Sequence, residues 1–287
     1  MESSTPSPTP TLDTALQQPS ARDLLRLVSE GIQGDSPNFL ARTDVNAFIE
    51  RVMTDNRTGE PVCQGEIHKS WQRHINQCQQ MGRFCGILAP WGHGKTEQVA
   101  IARTLWELGK NPNLRVKIVT NTPEFAQARL QTCQKYIKEN RHYQRIFPDV
   151  QPADDSDWNK HKLMVKRDTY SEDGSIEAYG VLQTATGGRA DLLIFDDVVD
   201  LNNAILNPAM RPKVVEAFHN VWLPRLEPGG FAIYIATRWH LEDITGVLLA
   251  NPQWRFLVQS ISEDMTCIES QLIGHEMPEA VSRVSTN

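Results

Sequence analysis

Lys95 and Thr96 are the residue pair with the clearest chemistry in this chain. They close the run Ala89-Pro90-Trp91-Gly92-His93-Gly94-Lys95-Thr96. Glycines in such a loop let backbone N–H groups turn inward onto phosphate oxygens, with no Cβ in the way. A lysine at the end of the loop reaches the β- and γ-phosphates, and the hydroxyl after it binds magnesium. The pattern is G-x-x-x-x-G-K-[ST], with Ala89 where the first glycine would stand. The bland alternative is a glycine-rich turn between a core strand and a surface helix.

A second group of acids falls about 100 residues downstream. The apolar run 192–195 (LLIF) ends in Asp196-Asp197. An apolar strand ending in paired acids has the form of a Walker B site. Asp196 would hold magnesium through water, and Asp197 would polarise the attacking water. Paired acids after an apolar run are common on their own, and the phosphate-type loop upstream gives this pair its meaning. A third element, the apolar run 231–236, ends at Thr237. A polar residue at the C-terminal end of a neighbouring strand is placed to sense a γ-phosphate. His240 has no partner at metal-ligand spacing and is not read as a ligand.

These residues need strands and helices to position them. The short apolar run 84–89 predicts a buried strand before the loop. Ile101, Leu105 and Leu108 share one face of a helix after it. Residues 114–120 alternate and predict a strand. Thr122-Pro123 starts a helix that runs to about Glu139, with Pro at its first position. Residues 162–167 and 175–183 predict a hairpin. Upstream of the loop, 21–82 reads as helical, with Val45, Phe48, Ile49 and Val52 on one face and Leu24, Leu25 and Val28 on another. In the last of these helices Gln72 or Trp71 could meet a nucleotide base, and Gln72 is the candidate retained. Trp71 and Ile75, at i, i+4 spacing, read as core. Residues 1–20 hold four Pro, four Ser and four Thr and predict a disordered tail. The ATPase core is expected over 83–260, with a linker or tail over 261–287.

Composition narrows the field further. The chain has 287 residues and a net charge of −6, so any nucleic-acid contact must be a local patch. Lys135, Lys138, Arg141, His142 and Arg145 could form one, although a solvated helix face is the simpler reading. Five cysteines with no C-x-x-C pair predict neither a disulfide framework nor a zinc site, and fit a reducing compartment. No basic-then-apolar leader and no apolar run of 18 residues is present.

Taken together, A-P-W-G-H-G-K-T (89–96), T-G-G-R-A-D-L-L-I-F-D-D (186–197) and A-T-R-W-H-L-E-D (236–243) are specific. In that order they resemble the ATPase domain of large terminase subunits, the DNA-packaging motors of tailed bacteriophages. The resemblance covers roughly residues 65–260. It implies an α/β P-loop NTPase fold of the ASCE type, with a mostly parallel central sheet flanked by helices and an N-terminal helical extension. It implies ATP and Mg2+ as cofactors and translocation of double-stranded DNA into a procapsid. The partners implied are the portal protein, the small terminase subunit and further copies in a ring, commonly a pentamer. The setting implied is the host cytoplasm, away from any membrane.

Residue by residue, Lys95 and Thr96 match the phosphate and magnesium positions, and Asp196 matches the Walker B acid. Asp197 matches the catalytic acid, which is Glu in many relatives, and Thr237 matches the coupling motif. Arg189 lies in the region that supplies an arginine finger to a neighbouring subunit; pairing with Asp191 or Asp197 is the even alternative. Trp91 stands where many relatives have a basic residue. After Gln259 only 28 residues follow, so no nuclease domain is expected here. Two rivals remain open: a helicase-like ATPase, and a degenerate P-loop adaptor at the portal.

Overall fold

The computed structural model describes residues 36–153, 158–183, 187–261, 267–273 and 282–285. The expected tail over 1–20, the Leu24/Leu25/Val28 face, and the acids Glu263, Asp264 and Glu276 lie outside the described residues.

Three helices precede the first strand: α1 (Ser36–Thr43), α2 (Val45–Val52) and α3 (Glu66–Gln80). Asp44 caps α2, its carboxylate accepting from the Asn46 and Ala47 amides. Val45, Phe48, Ile49 and Val52 are its buried stripe, as their spacing predicts. β1 (Phe84–Leu88) leads into the loop and then into α4. That helix is π-wound over Thr96–Arg103 and α-wound over Thr104–Lys110. β2 (Val116–Thr120) follows, then α5 (Pro123–Glu139), with Pro123 at the start of the helix, and α6 (Arg141–Ile146).

β3 (Lys162–Leu163) and β4 (Ile176–Gly180) pair antiparallel, a shorter hairpin than the sequence suggested. β5 (Ala190–Asp196) carries the apolar run that ends in the acids. A π-wound turn (Asn202–Leu206) leads to α7 (Met210–Ala217), and another (Phe218–Trp222) continues it. β6 (Leu226–Ala236), α8 (Ile244–Leu249) and β7 (Trp254–Ile261) complete the parallel part. β8 (Cys267–Ile273) and β9 (Ser282–Ser285) come from the stretch expected to be tail or linker. They extend the sheet antiparallel beyond β7, which leaves β7 paired on both sides.

The strand order is β3-β4-β2-β5-β6-β1-β7-β8-β9. The six strands from β4 to β7 in that order run parallel. Their buried positions are mostly apolar because helices cover both faces, as parallel sheets require. Separate apolar clusters fill the two sides: one joins Trp71, Ile87, Leu105, Leu130 and Ile194, the other Phe195, Phe218, Trp222, Tyr234 and Trp254. Gly86 in β1 has a packing reason. A Cβ there would meet the Phe256 ring of β7 at 2.2 Å.

β6 lies between β1 and β5, so the loop strand and the acid-bearing strand are not neighbours. Register aligns their carboxyl ends: Leu88 pairs with Ala236, Ile235 with Asp196, and Asp196 with Thr120. Side chains just beyond these ends therefore converge at one rim of the sheet, where open α/β sheets bind their ligands.

Candidate functional site

The loop between β1 and α4 holds its shape through two glycines and one lysine. Gly92 and Gly94 have φ of +80° and +73°, a region that side chains with a Cβ rarely enter. Lys95 turns back into the loop. Its ammonium donates to the Ala89 carbonyl at 2.9 Å, the Pro90 carbonyl at 3.0 Å and the Thr237 hydroxyl at 3.0 Å. Burial lowers the lysine's proton affinity, while the carboxylates of Asp197 and Asp196 oppose that shift. His93 and Pro90 serve the loop through backbone carbonyls, and the Trp91 ring stands 87% exposed at its tip.

Thr96 opens α4 and faces β5. Its hydroxyl lies 3.1 Å from each oxygen of the Asp196 carboxylate. Asp196 is fully buried, and burial pushes its carboxyl up to about 6 against the pull of the Arg129 guanidinium. Arg129, on α5, donates to Asp196 Oδ2 at 2.9 Å and lies over the Phe125 ring. A carboxylate buried with a cation and a hydroxyl retains charge that burial alone would remove.

Asp197 is the one non-glycine residue with positive φ among the described residues, at 45°. Asp tolerates this left-handed conformation better than most residues. The turn aims its carboxylate across the end of β6, where Oδ1 accepts the Thr237 amide at 3.1 Å. Burial raises the Asp197 carboxyl, and the Lys95 charge opposes this most. Lys95, Thr96, Asp196, Asp197 and Thr237 thus form one connected group built from the ends of β1, β5 and β6.

Two candidates lie elsewhere. Gln72 is buried between α3 and α4; its amide nitrogen donates to the Gln98 carbonyl and its oxygen accepts from Arg103. Both ends of the amide are engaged in holding two helices together, so the base-contact expectation does not match its position. Trp71 is fully buried core and donates to Gln259, as its i, i+4 pairing with Ile75 suggested. Arg189 precedes β5 and therefore sits at the opposite edge of the sheet, roughly 20–25 Å from Asp196 at about 3.3 Å per residue. It donates to the Pro224 carbonyl. Neither expected carboxylate pairs with it: Asp191 is held by Arg115 at 2.8 Å, and Asp197 by Thr237.

Sequence reading missed two residues. Arg129 sits among ordinary surface-type positions on a long helix, and nothing in its spacing marks it. His68, one turn before Gln72, places Nε2 3.2 Å from the His93 carbonyl of the loop. The residues between Lys135 and Arg145 that could have formed a basic patch are exposed on α5 and α6, with Lys138 stacked 4.5 Å over Trp158. A cleft of about 540 Å³ runs along α7, and none of the converging residues lines it.

The strand order and the rim together allow comparison with solved structures. The structure matches the HK97 bacteriophage large terminase with a TM-score of 0.53 over 78% of this chain, at 17% sequence identity. The fold is terminase-like. The chain spans 44% of the length of that terminase. No protein-family model and no curated protein sequence matches it. The terminase-like sheet therefore rests on shape, with little sequence likeness behind it. No helix among the described residues is long and apolar enough to cross a membrane.

Proposed function

We propose that this chain is the ATP-hydrolysing motor domain of a large terminase, moving double-stranded DNA into a procapsid. The observation that carries the reading is Thr96 Oγ1 at 3.1 Å from both oxygens of a buried Asp196, beside a lysine-ended glycine loop. The insertion of β6 between β1 and β5 supports the ASCE type.

A hydroxyl and a carboxylate are hard oxygen donors, the set that magnesium takes together with phosphate and water. Thr96 and Asp196 would hold it, and when bound it neutralises charge on the β- and γ-phosphate oxygens. The loop amides from Gly92 to Thr96 and the α4 N-terminus would cradle the β-phosphate. Lys95 would exchange its carbonyl partners for phosphate oxygens, keeping Thr237 within reach as the link to β6. Asp197 would orient water: Oδ1 is fixed by Thr237, and Oδ2 has no hydrogen-bond partner among the described residues. Arg129 keeps Asp196 ionised and fixed in place.

Work on DNA would need the portal, the small terminase subunit and a ring of copies, in the host cytoplasm. Arg189 would reach a phosphate only in a neighbouring copy, because its own site is at the far edge of the sheet. Phosphate release measured with and without Mg2+, and with and without duplex DNA, tests the proposal. Magnesium-dependent turnover stimulated by DNA is expected. Nucleotide binding with no turnover in an assembled motor would indicate a P-loop adaptor instead.

A further inference from the structure

His74 and Cys78 lie at i, i+4 on the last turns of α3, so they share one face. That face packs on β1 at Cys85. The three side chains are 0–2% exposed, and one ligand atom from each lies within 4.8 Å of the others. Cysteines alone in a core behave as small apolar residues. Two thiols and an imidazole gathered at one point make a different chemical object.

We infer that His74, Cys78 and Cys85 form a binding site for a soft d10 cation, zinc or its stand-in cadmium, which ties α3 to the strand that carries the loop. Zinc bonds of about 2.3 Å to sulfur and about 2.0–2.1 Å to nitrogen place neighbouring ligand atoms about 3.5–3.8 Å apart. Cys78 Sγ is 3.6 Å from His74 Nε2 and 4.0 Å from Nδ1, so this pair closes on an ion with shifts of tenths of an ångström, and the remaining pairs, within 4.8 Å, need shifts of up to about 1 Å. Nε2 is also 3.0 Å from the Arg255 carbonyl on β7. A ring N–H given to that carbonyl orients the imidazole and leaves Nδ1 as the ligand, the outer arrangement common to metal-bound histidines.

Charge favours the same assignment. Two thiolates and a neutral imidazole cancel a dication, so the loaded site adds no net charge to a dry core. Binding releases the two thiol protons to solvent, with no oxidation or reduction. The spacing, H-x3-C-x6-C, contains no C-x-x-C, which is why the sequence predicted no zinc site. Burial means that the ion enters as the chain folds.

The full chain, refolded from denaturant with one equivalent of Cd2+ and desalted, provides the test. Native mass spectrometry should show one cadmium per chain with two protons lost. Ultraviolet absorbance should show a thiolate-to-cadmium band. The triple variant C63S/C133S/C267S, which keeps only the two site thiols, should retain both signals. Cys78→Ser with Cys85→Ser should lose them, and His74→Gln should weaken binding at least tenfold. The inference is overturned if the wild-type chain holds no ion, if the triple variant loses it, or if His74→Gln binds as tightly as wild type. Should the Cys78/Cys85 double variant fail to fold, the triple variant decides, since its only thiols are those of the site.

Discussion

The Lys95 ammonium lies 3.0 Å from the Thr237 hydroxyl, joining residues 142 apart in sequence at the ends of two neighbouring parallel strands, β1 and β6. Thr237 also gives its amide to Asp197. One residue at the end of β6 therefore touches both the lysine proposed to bind phosphate and the acid proposed to orient water. Thr237→Val removes the hydroxyl and keeps the amide. We expect nucleotide affinity to change less than about threefold and turnover to fall at least tenfold, about 1.4 kcal/mol of barrier. Equal losses in affinity and turnover would show that Thr237 serves binding alone.

Lys95→Ala should reduce turnover by about 10²–10³-fold, the typical scale for loss of one charge-stabilising donor. The buried lysine bonds two carbonyls of its own loop and the Thr237 hydroxyl, and its loss removes little packing. Thermal melting followed by circular dichroism should stay within a few degrees of wild type. Wild-type turnover in a folded Lys95→Ala chain would refute the proposed phosphate role.

Asp197→Asn keeps a residue type that tolerates the left-handed backbone. It should fold normally and lose nearly all turnover, while Asp197→Glu should retain some. Normal hydrolysis by the Asn variant would move the water-orienting acid elsewhere. Asp200 is a poor substitute, because its carboxylate caps Asn203 and binds Asn121.

The pH dependence follows from Asp196. Its carboxyl is raised from 3.8 to about 6 in the folded chain. Between those values the folded chain binds the extra proton, so this group makes the fold more stable at pH 4 than at pH 7. The full effect is about 3 kcal/mol, at about 1.4 kcal/mol per unit. The proposed magnesium–nucleotide binding would need the ionised form, so affinity should rise with pH up to about 6 and then level off. Arg129→Ala should carry that plateau to higher pH. Titration calorimetry at several pH values checks both; a pH-independent affinity below 6 would remove Asp196 from the magnesium site.

Arg103 is fully buried and bonds Glu107 at 2.8 Å, Asn76 at 2.8 Å and Gln79 at 2.9 Å. Glu107→Ala leaves that cation uncompensated and should cost about 3–5 kcal/mol, read as a drop in denaturation midpoint. Replacing the pair together with apolar residues of similar volume should cost far less.

Much of this site was legible in sequence because its residues belong to short runs whose types are chemically constrained. Ala89 to Thr96 reads as a phosphate-type loop, and an apolar strand ending in two acids reads as its partner, and the structure brings the two together. Register then places Asp196 beside Thr120 and Ile235, a convergence implied by parallel strands but not measurable from spacing. Arg129 stayed hidden because a helix surface arginine looks alike whether it meets water or a buried carboxylate. Gln72 misled for the opposite reason: a polar residue upstream of the loop suggests a ligand contact, whereas here it satisfies a buried helix seam. β8 and β9 have no alternating apolar run, and their place comes from backbone pairing along β7.

The π-winding of α4 also bears on chain length. Gln98 and Arg103, five residues apart, both meet Gln72 of α3, one through its carbonyl and the other through its guanidinium. Five residues close one turn of a π-helix but overshoot an α-helical turn. The polar seam therefore holds one residue more than an α-wound helix would place there. Deleting any single residue between Gln98 and Arg103 would rotate the arginine by about 100° away from its partners. When this chain is aligned with a relative whose loop helix is α-wound throughout, the extra position belongs inside this helix, not in the loop before it. A gap assigned to the loop would shift Lys95 and Thr96 out of register with the residues they are compared to.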